Sequence, residues 1–131
     1  MALLWNFRYY PLDDAGTGVR NVYENASTAV RGKFLSKLVI LAQLDISQWR
    51  EPLFKMLTNQ GGLSEIRFKA DGVQQRPLGF RSGEHEYTLL LWATEKGGRF
   101  VPRSAPETAA SIMIEVLNGR ELTDALWLAL E

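Results

Sequence analysis

The chain has 131 residues, 46% of them hydrophobic and 23% charged, with 15 basic and 15 acidic side chains that cancel. A chain of this length buries about two-thirds of its unfolded surface, so it reads as one globular domain that needs no covalent staple. The absence of cysteine excludes a disulfide framework, thiolate metal sites and cysteine nucleophiles, and the single histidine, His85, excludes a multi-histidine metal centre.

Residues 3–10 are rich in aromatic and large apolar side chains and end at the breakers Pro11 to Gly16, which predicts a strand followed by a loop. Ser27 is placed to cap a helix in which Val30, Phe34, Leu38, Leu41 and Ala42 recur at helical spacing, with Arg31, Lys33 and Lys37 mostly on other faces. Gly32 weakens that helix by up to about 1 kcal/mol relative to alanine. Trp49-Arg-Glu-Pro52 predicts a short second helix over 53–57, ended by Gln60-Gly-Gly62.

The period then changes to two. Residues 62–70 alternate, with Glu65, Arg67 and Lys69 on one side and Ile66, Phe68 and Ala70 on the other, and Asp71-Gly72 signals a hairpin to a return strand over 73–81. After a polar turn at 82–86, residues 87–94 are apolar on both faces, as in a covered central strand. Lys96-Gly-Gly-Arg99 is read as closing the sheet. Ser104 and Glu107 have capping-box spacing before a helix carrying Ala109, Ile112, Met113 and Val116 and stopped by Gly119. A short apolar tail at about 121–131 either packs back on the domain, the expected case, or covers a partner's surface, with a helix as one form. The order predicts an α+β fold, with N-terminal helices and a C-terminal helix packed on a mainly antiparallel sheet.

The hairpin turn also sets a register. If Asp71-Gly72 is a two-residue turn, Ala70 faces Val73, Lys69 faces Gln74, Phe68 faces Gln75 and Arg67 faces Arg76. Like charges opposed across a ladder cost a few tenths to about 1 kcal/mol unless an anion or carboxylate offsets them. The pair suits a phosphate, which guanidinium forks bind bidentately. From spacing alone it is read first as a solvated sheet face on which Glu65 neutralises one arginine. Pro77, next to Arg76, lacks a ladder donor and predicts an edge position or a bulge. Lys96 beside two glycines suits either a phosphate contact or a solvated turn. His85 reads as an exposed turn residue, Tyr87 as packing or a proton donor, and Trp5, Trp49, Trp92 and Trp127 as core.

The zero net charge is unevenly spread. Residues 19–103 hold 13 basic against 8 acidic side chains, whereas residues 104–131 hold one against five. A basic body is compatible with an RNA partner, provided that Glu107, Glu115, Glu121 and Asp124 stand away from the face of Arg67 and Arg76. The apolar runs are all far shorter than the ~18 residues that span a bilayer, and the first residues lack a basic leader, so a cytoplasmic protein without membrane contact is expected.

Gly62-Leu-Ser-Glu-Ile-Arg-Phe68, Arg76-Pro-Leu-Gly-Phe80, Tyr87-Thr-Leu-Leu-Leu-Trp-Ala-Thr-Glu-Lys-Gly97 and the segment 102–116 together resemble the RelE/ParE toxin superfamily, and within it the HigB-like, phage-derived host-inhibition family. Residues 49–57 match that family's short second helix, and the resemblance covers about half the chain. It implies a single RelE-like domain over 1–131 and a toxin of a type II toxin–antitoxin pair, a metal-independent, ribosome-dependent endoribonuclease of mRNA without cofactor. The implied partners are a small helix-turn-helix antitoxin, the ribosome and mRNA, with homodimerisation open. Arg67, Arg76 and, more loosely, Lys96 match the catalytic positions, and Lys69, Arg81, Arg99 and Arg103 would bind RNA. The segment 104–120 holds neither tyrosine nor histidine, where many nucleases of the superfamily carry an acid or base. The alternative is a non-catalytic, ParE-like or phage-derived protein that binds a host protein.

Overall fold

A computed structural model describes residues 3–12, 16–119 and 122–124. The elements in chain order are β1 (Asn6–Tyr9), α1 (Val19–Asn25), α2 (Thr28–Ala42), a 3-10 turn (Ile46–Gln48), β2 (Phe54–Met56), β3 (Ser64–Ile66), β4 (Phe68–Ala70), β5 (Val73–Gly83), β6 (Glu86–Lys96), β7 (Arg99–Val101), α3 (Ala105–Leu117) and β8 (Thr123–Asp124). The fold is α+β. The strands form one sheet in the order β2-β3-β5-β6-β1-β8, with β4 beside β5 and β7 beside β6. Among the described pairings only β1 with β6 is parallel.

Helices cover both faces of the sheet. The five apolar positions of α2 at helical spacing are its buried residues, and they pack with Trp5, Phe7, Trp49, Phe54, Phe68, Tyr87 and Trp92 in an aromatic-rich core. Ser27 caps α2 by accepting from the Val30 N–H at 3.1 Å, and its hydroxyl also bonds the Asp71 carboxylate in the β4–β5 turn. On the other face, Ala105, Ala109, Ile112 and Met113 of α3 meet Leu63, Leu78, Leu91 and Ala93. Trp5, Trp49 and Trp92 are core, as expected, and each indole N–H reaches an acceptor. Trp127 lies outside the described residues.

Several elements depart from the sequence-based expectation. Residues 53–57 are not a helix: Phe54, Lys55 and Met56 pair antiparallel with Ile66, Glu65 and Ser64, and the return runs through Asn59, Gly61 and Gly62 at positive φ. Five residues nucleate a helix poorly, and a ready strand partner satisfies their backbone better. Gly97 and Gly98, at φ 60 and 77, do not close the sheet but turn a hairpin into β7. The capping box before α3 does not form, because Ser104 has a ψ of 2° and its side chain caps nothing. Helix α1, with only Val19 buried, carries too little pattern to be read from sequence. In the tail, Leu122 packs on the second core and residues 123–124 pair with β1 as a strand, not a helix; the rest lies outside the described residues.

Pro77 is neither at an edge nor itself bulged, since β5 is flanked on both sides and Pro77 faces Trp92 in register. The Trp92 N–H donates to the Thr17 carbonyl, so Trp92 and Pro77 form a non-hydrogen-bonded pair. The missing proline donor therefore points toward β3 and β4, at the place where those two strands separate. There the Arg67 N–H turns away and donates to the Leu53 carbonyl at 2.7 Å.

Among the described residues no helix is long and apolar enough to cross a membrane.

Candidate functional site

The β4–β5 hairpin has the register counted from its turn: Ala70 pairs with Val73, Lys69 with Gln74 and Phe68 with Gln75. Asp71 and Gly72, at φ 52 and 73, have the two left-handed residues that such a turn requires. Glu65 pairs with Leu78 in the same register, so Arg67 stands opposite Arg76 although the ladder is open between them. By alternation, Glu65, Arg67, Lys69, Gln74 and Arg76 share the sheet face of Leu63 and Leu78, the face that α3 covers farther along.

Strand β4 pairs with β5 alone, so its outer edge is open beyond the end of β2. A cleft of about 420 Å³ runs along this edge, lined by Lys33 and Lys37 of α2, by Glu51, Pro52 and Leu53, and by Arg67, Phe68, Lys69, Gln74 and Arg76. Five cations therefore meet on one cleft with one carboxylate, Glu51, at its rim. Sequence reasoning reached Arg67, Lys69 and Arg76 but not Lys33, Lys37 or Glu51. No local pattern ties α2 to β4, and the helix expected at 53–57 hid the approach of Glu51 to Arg67.

The two arginines differ in what they have left to offer. Arg76 is 3% exposed, and all three of its guanidinium nitrogens are occupied: Nε by Glu95 at 3.1 Å, Nη1 by the Gln75 carbonyl at 2.8 Å and Nη2 by the Gln74 amide oxygen at 3.3 Å. Arg67 is half-buried between two carboxylates, with Nη1 2.9 Å from Glu51 and Nε 3.3 Å from Glu65. Glu51 is largely exposed, so a ligand that displaced it would gain the outer edge of Arg67. Glu65 is 4% exposed and its second oxygen is buried without a hydrogen-bond partner. Burial raises its pKa, more than Arg67 and Arg76 lower it.

The remaining expected site residues lie elsewhere. Lys96 and Arg99 face each other across the β6–β7 hairpin, and Arg103 is exposed in the turn before α3. Arg81 sits at the far end of β5, donating to the Gly83 and Glu84 carbonyls with its guanidinium 5.5 Å above Trp5. His85 is exposed in its turn, edge-on to the Trp5 ring. Tyr87 is fully buried against Ser64 at 2.8 Å, and burial drives its pKa up, so it is core and not a proton donor to a surface site.

The separation of acidic and basic faces does not hold in the form expected. Helix α3, with Glu107 and Glu115, packs on the side of the sheet to which Arg67 and Arg76 point, although neither glutamate lines the cleft. Glu115 instead accepts from Tyr10 Oη at 2.9 Å, and Glu121 lies outside the described residues. The carboxylates that offset the arginines come from the basic body itself, as Glu51, Glu65 and Glu95. Among the described residues no group of His, Asp or Glu is arranged to hold a metal.

No protein-family model matches the chain, and neither a curated protein nor a solved structure does.

Proposed function

We propose that the chain is a HigB-like toxin with a RelE-like fold, acting in the cytoplasm as the toxin of a type II toxin–antitoxin pair, and that its cleft takes the backbone of mRNA on the ribosome. The observation that carries this reading is the gathering of Lys33, Lys37, Arg67, Lys69 and Arg76 on one cleft along a free strand edge. Phosphate contacts by lysine and arginine supply most sequence-independent affinity for nucleic acid.

Cleavage in such a site needs no metal. The ribose 2′-OH gives its proton to a carboxylate and attacks the adjacent phosphorus, and the P–O5′ bond breaks. This leaves a 2′,3′-cyclic phosphate and a 5′-hydroxyl, whose proton comes from solvent. Arg67 stabilises the charge that develops on the phosphate oxygens. Glu51, the carboxylate on the cleft, is the group placed to take the proton once phosphate has displaced it from Arg67. Arg76 acts one step back, bracing the strand on which the site is built.

A second reading, a non-catalytic protein that binds a host protein, is favoured by one observation: every guanidinium nitrogen of Arg76 is already occupied. Expression in a bacterial host separates the two. Growth arrest with new mRNA 5′ ends that disappear in Arg67→Ala supports the nuclease; arrest without new ends supports the binder, and absence of arrest in several hosts removes the toxin reading.

A further inference from the structure

Lys33 and Lys37 are one turn apart on α2, spaced to stand on one helix face. They flank the buried stripe of Phe34 and Leu38 on the side of β4. The Lys33 ammonium is fixed there, donating one of its three hydrogens to the Lys69 carbonyl at 2.7 Å. Lys37, half-buried, and Lys69, exposed, complete the group.

The contrast with the arginines is electrostatic. Arg67 and Arg76 each have a carboxylate within ion-pair distance, whereas Lys33, Lys37 and Lys69 form no ion pair among the described residues. Three ammonium groups on one cleft repel unless an anion lies between them. The polar lining groups that could read a base edge are already engaged: the Gln74 amide oxygen accepts from Arg76 Nη2 and Glu51 pairs with Arg67. Phe68 is buried, Pro52 and Leu53 are aliphatic, and no exposed aromatic ring is present to stack on.

We propose that Lys33, Lys37 and Lys69 form a second phosphate site beside Arg67, so that the cleft holds two consecutive phosphates of a single RNA strand and reads no bases. The inference rests on the reading of the cleft as an RNA site and says where on α2 the strand continues. Lys37 is its most direct probe, because among the described residues its side chain makes no hydrogen bond, whereas Lys33 ties α2 to β4.

The test is fluorescence anisotropy of the full chain with labelled oligo-U and oligo-A over a series of salt concentrations, with circular dichroism to check that each variant is folded. For a single strand, the slope of log K against log salt steepens by about 0.7 for each phosphate neutralised. The wild type should bind both homopolymers alike, and Lys37→Ala should flatten the slope by about 0.7 on both. Arg67→Ala should flatten it by a similar step. If Arg67→Ala flattens the slope and Lys37→Ala and Lys33→Ala do not, the α2 site is wrong and the RNA reading stands. If the wild type fails to bind, or Arg67→Ala and Lys37→Ala both bind like the wild type, the RNA reading falls with it. A preference above about tenfold for one homopolymer overturns readout by the backbone alone.

Discussion

The two ends of the long β5–β6 hairpin each carry an arginine, Arg76 buried and Arg81 exposed, and the two are held in different ways. At the turn-distal end Arg76 is enclosed by Glu95, Gln74 and a main-chain carbonyl, with Arg67, Glu65 and Glu51 alongside. At the turn end Arg81 bonds two carbonyls of its own turn and covers the Trp5 ring. Arg81 closes a local loop, and its hydrogen-bond partners lie within three residues of it. Arg76 joins strands, and its neighbourhood continues into an open cleft. A cation that only completes a turn leaves no vacancy for a ligand, whereas a cluster in which carboxylates and cations alternate can exchange a carboxylate for a phosphate.

The largest test of that difference is Arg76→Ala, which leaves Glu95 without its ion-pair partner and removes one of the two cations that act on the buried Glu65. Removing one partner of a buried pair costs on the order of 3–5 kcal/mol; Glu95 is partly exposed, so the lower end is expected, measured by urea unfolding. A loss below about 1 kcal/mol would make Arg76 equivalent to a surface residue and end the distinction between the two ends. For the same reason Arg76→Ala is a poor probe of catalysis, and Arg67→Ala is the better one.

Glu51→Gln acts on the cleft without touching the core. It removes the charge that competes with phosphate for Arg67, so RNA should bind a few-fold more tightly. If Glu51 takes the proton, cleavage should fall by about 10²-fold or more. Opposite movements of affinity and rate are the expected signature. Weaker binding together with slower cleavage would make Glu51 a positioning residue that holds Arg67 in place. At the other end, Arg81→Ala should cost no more than about 1 kcal/mol, the scale of one cation–π contact at an exposed site, with RNA affinity unchanged.

How far the site was legible in the sequence follows from which contacts are local. The β4–β5 register was readable because a two-residue turn with residues of positive φ fixes strand pairing within a few residues. The core face of α2 was readable from its period. The cleft was only half readable, because it is made where α2 crosses the free edge of β4 and where residues 51–53 leave β2, both tertiary events. The split between an acidic tail and a basic body was real as composition but did not predict the faces. Residues that neutralise Arg67 and Arg76 sit two positions away on β3, across the ladder on β6, and in a turn from another part of the chain. Spacing along one strand reveals the first of these and not the others.

The smallest expected effect sits between the two arginines of the cleft, at Glu65. Burial raises its pKa above the ordinary carboxylate value, so the folded chain holds the Glu65 proton more tightly than the unfolded chain does. Between the ordinary value and the raised one, the folded state binds more protons, and stability falls as pH rises through that window. Glu65→Gln removes this titration. It keeps the shape of the side chain and leaves Arg67 its bond to Glu51. The variant and the wild type should therefore unfold alike below the ordinary carboxylate range, and the variant should become the more stable of the two toward neutral pH, by less than about 1 kcal/mol given the opposing attraction of Arg67 and Arg76. Thermal unfolding from acid to neutral pH reads the crossing directly. If the wild type instead gains on the variant as pH rises, the Glu65–Arg67 pair outweighs its desolvation. The cluster would then be a stabilising network of fixed charges, closed like the Arg81 turn, and not one poised to give up a carboxylate to phosphate.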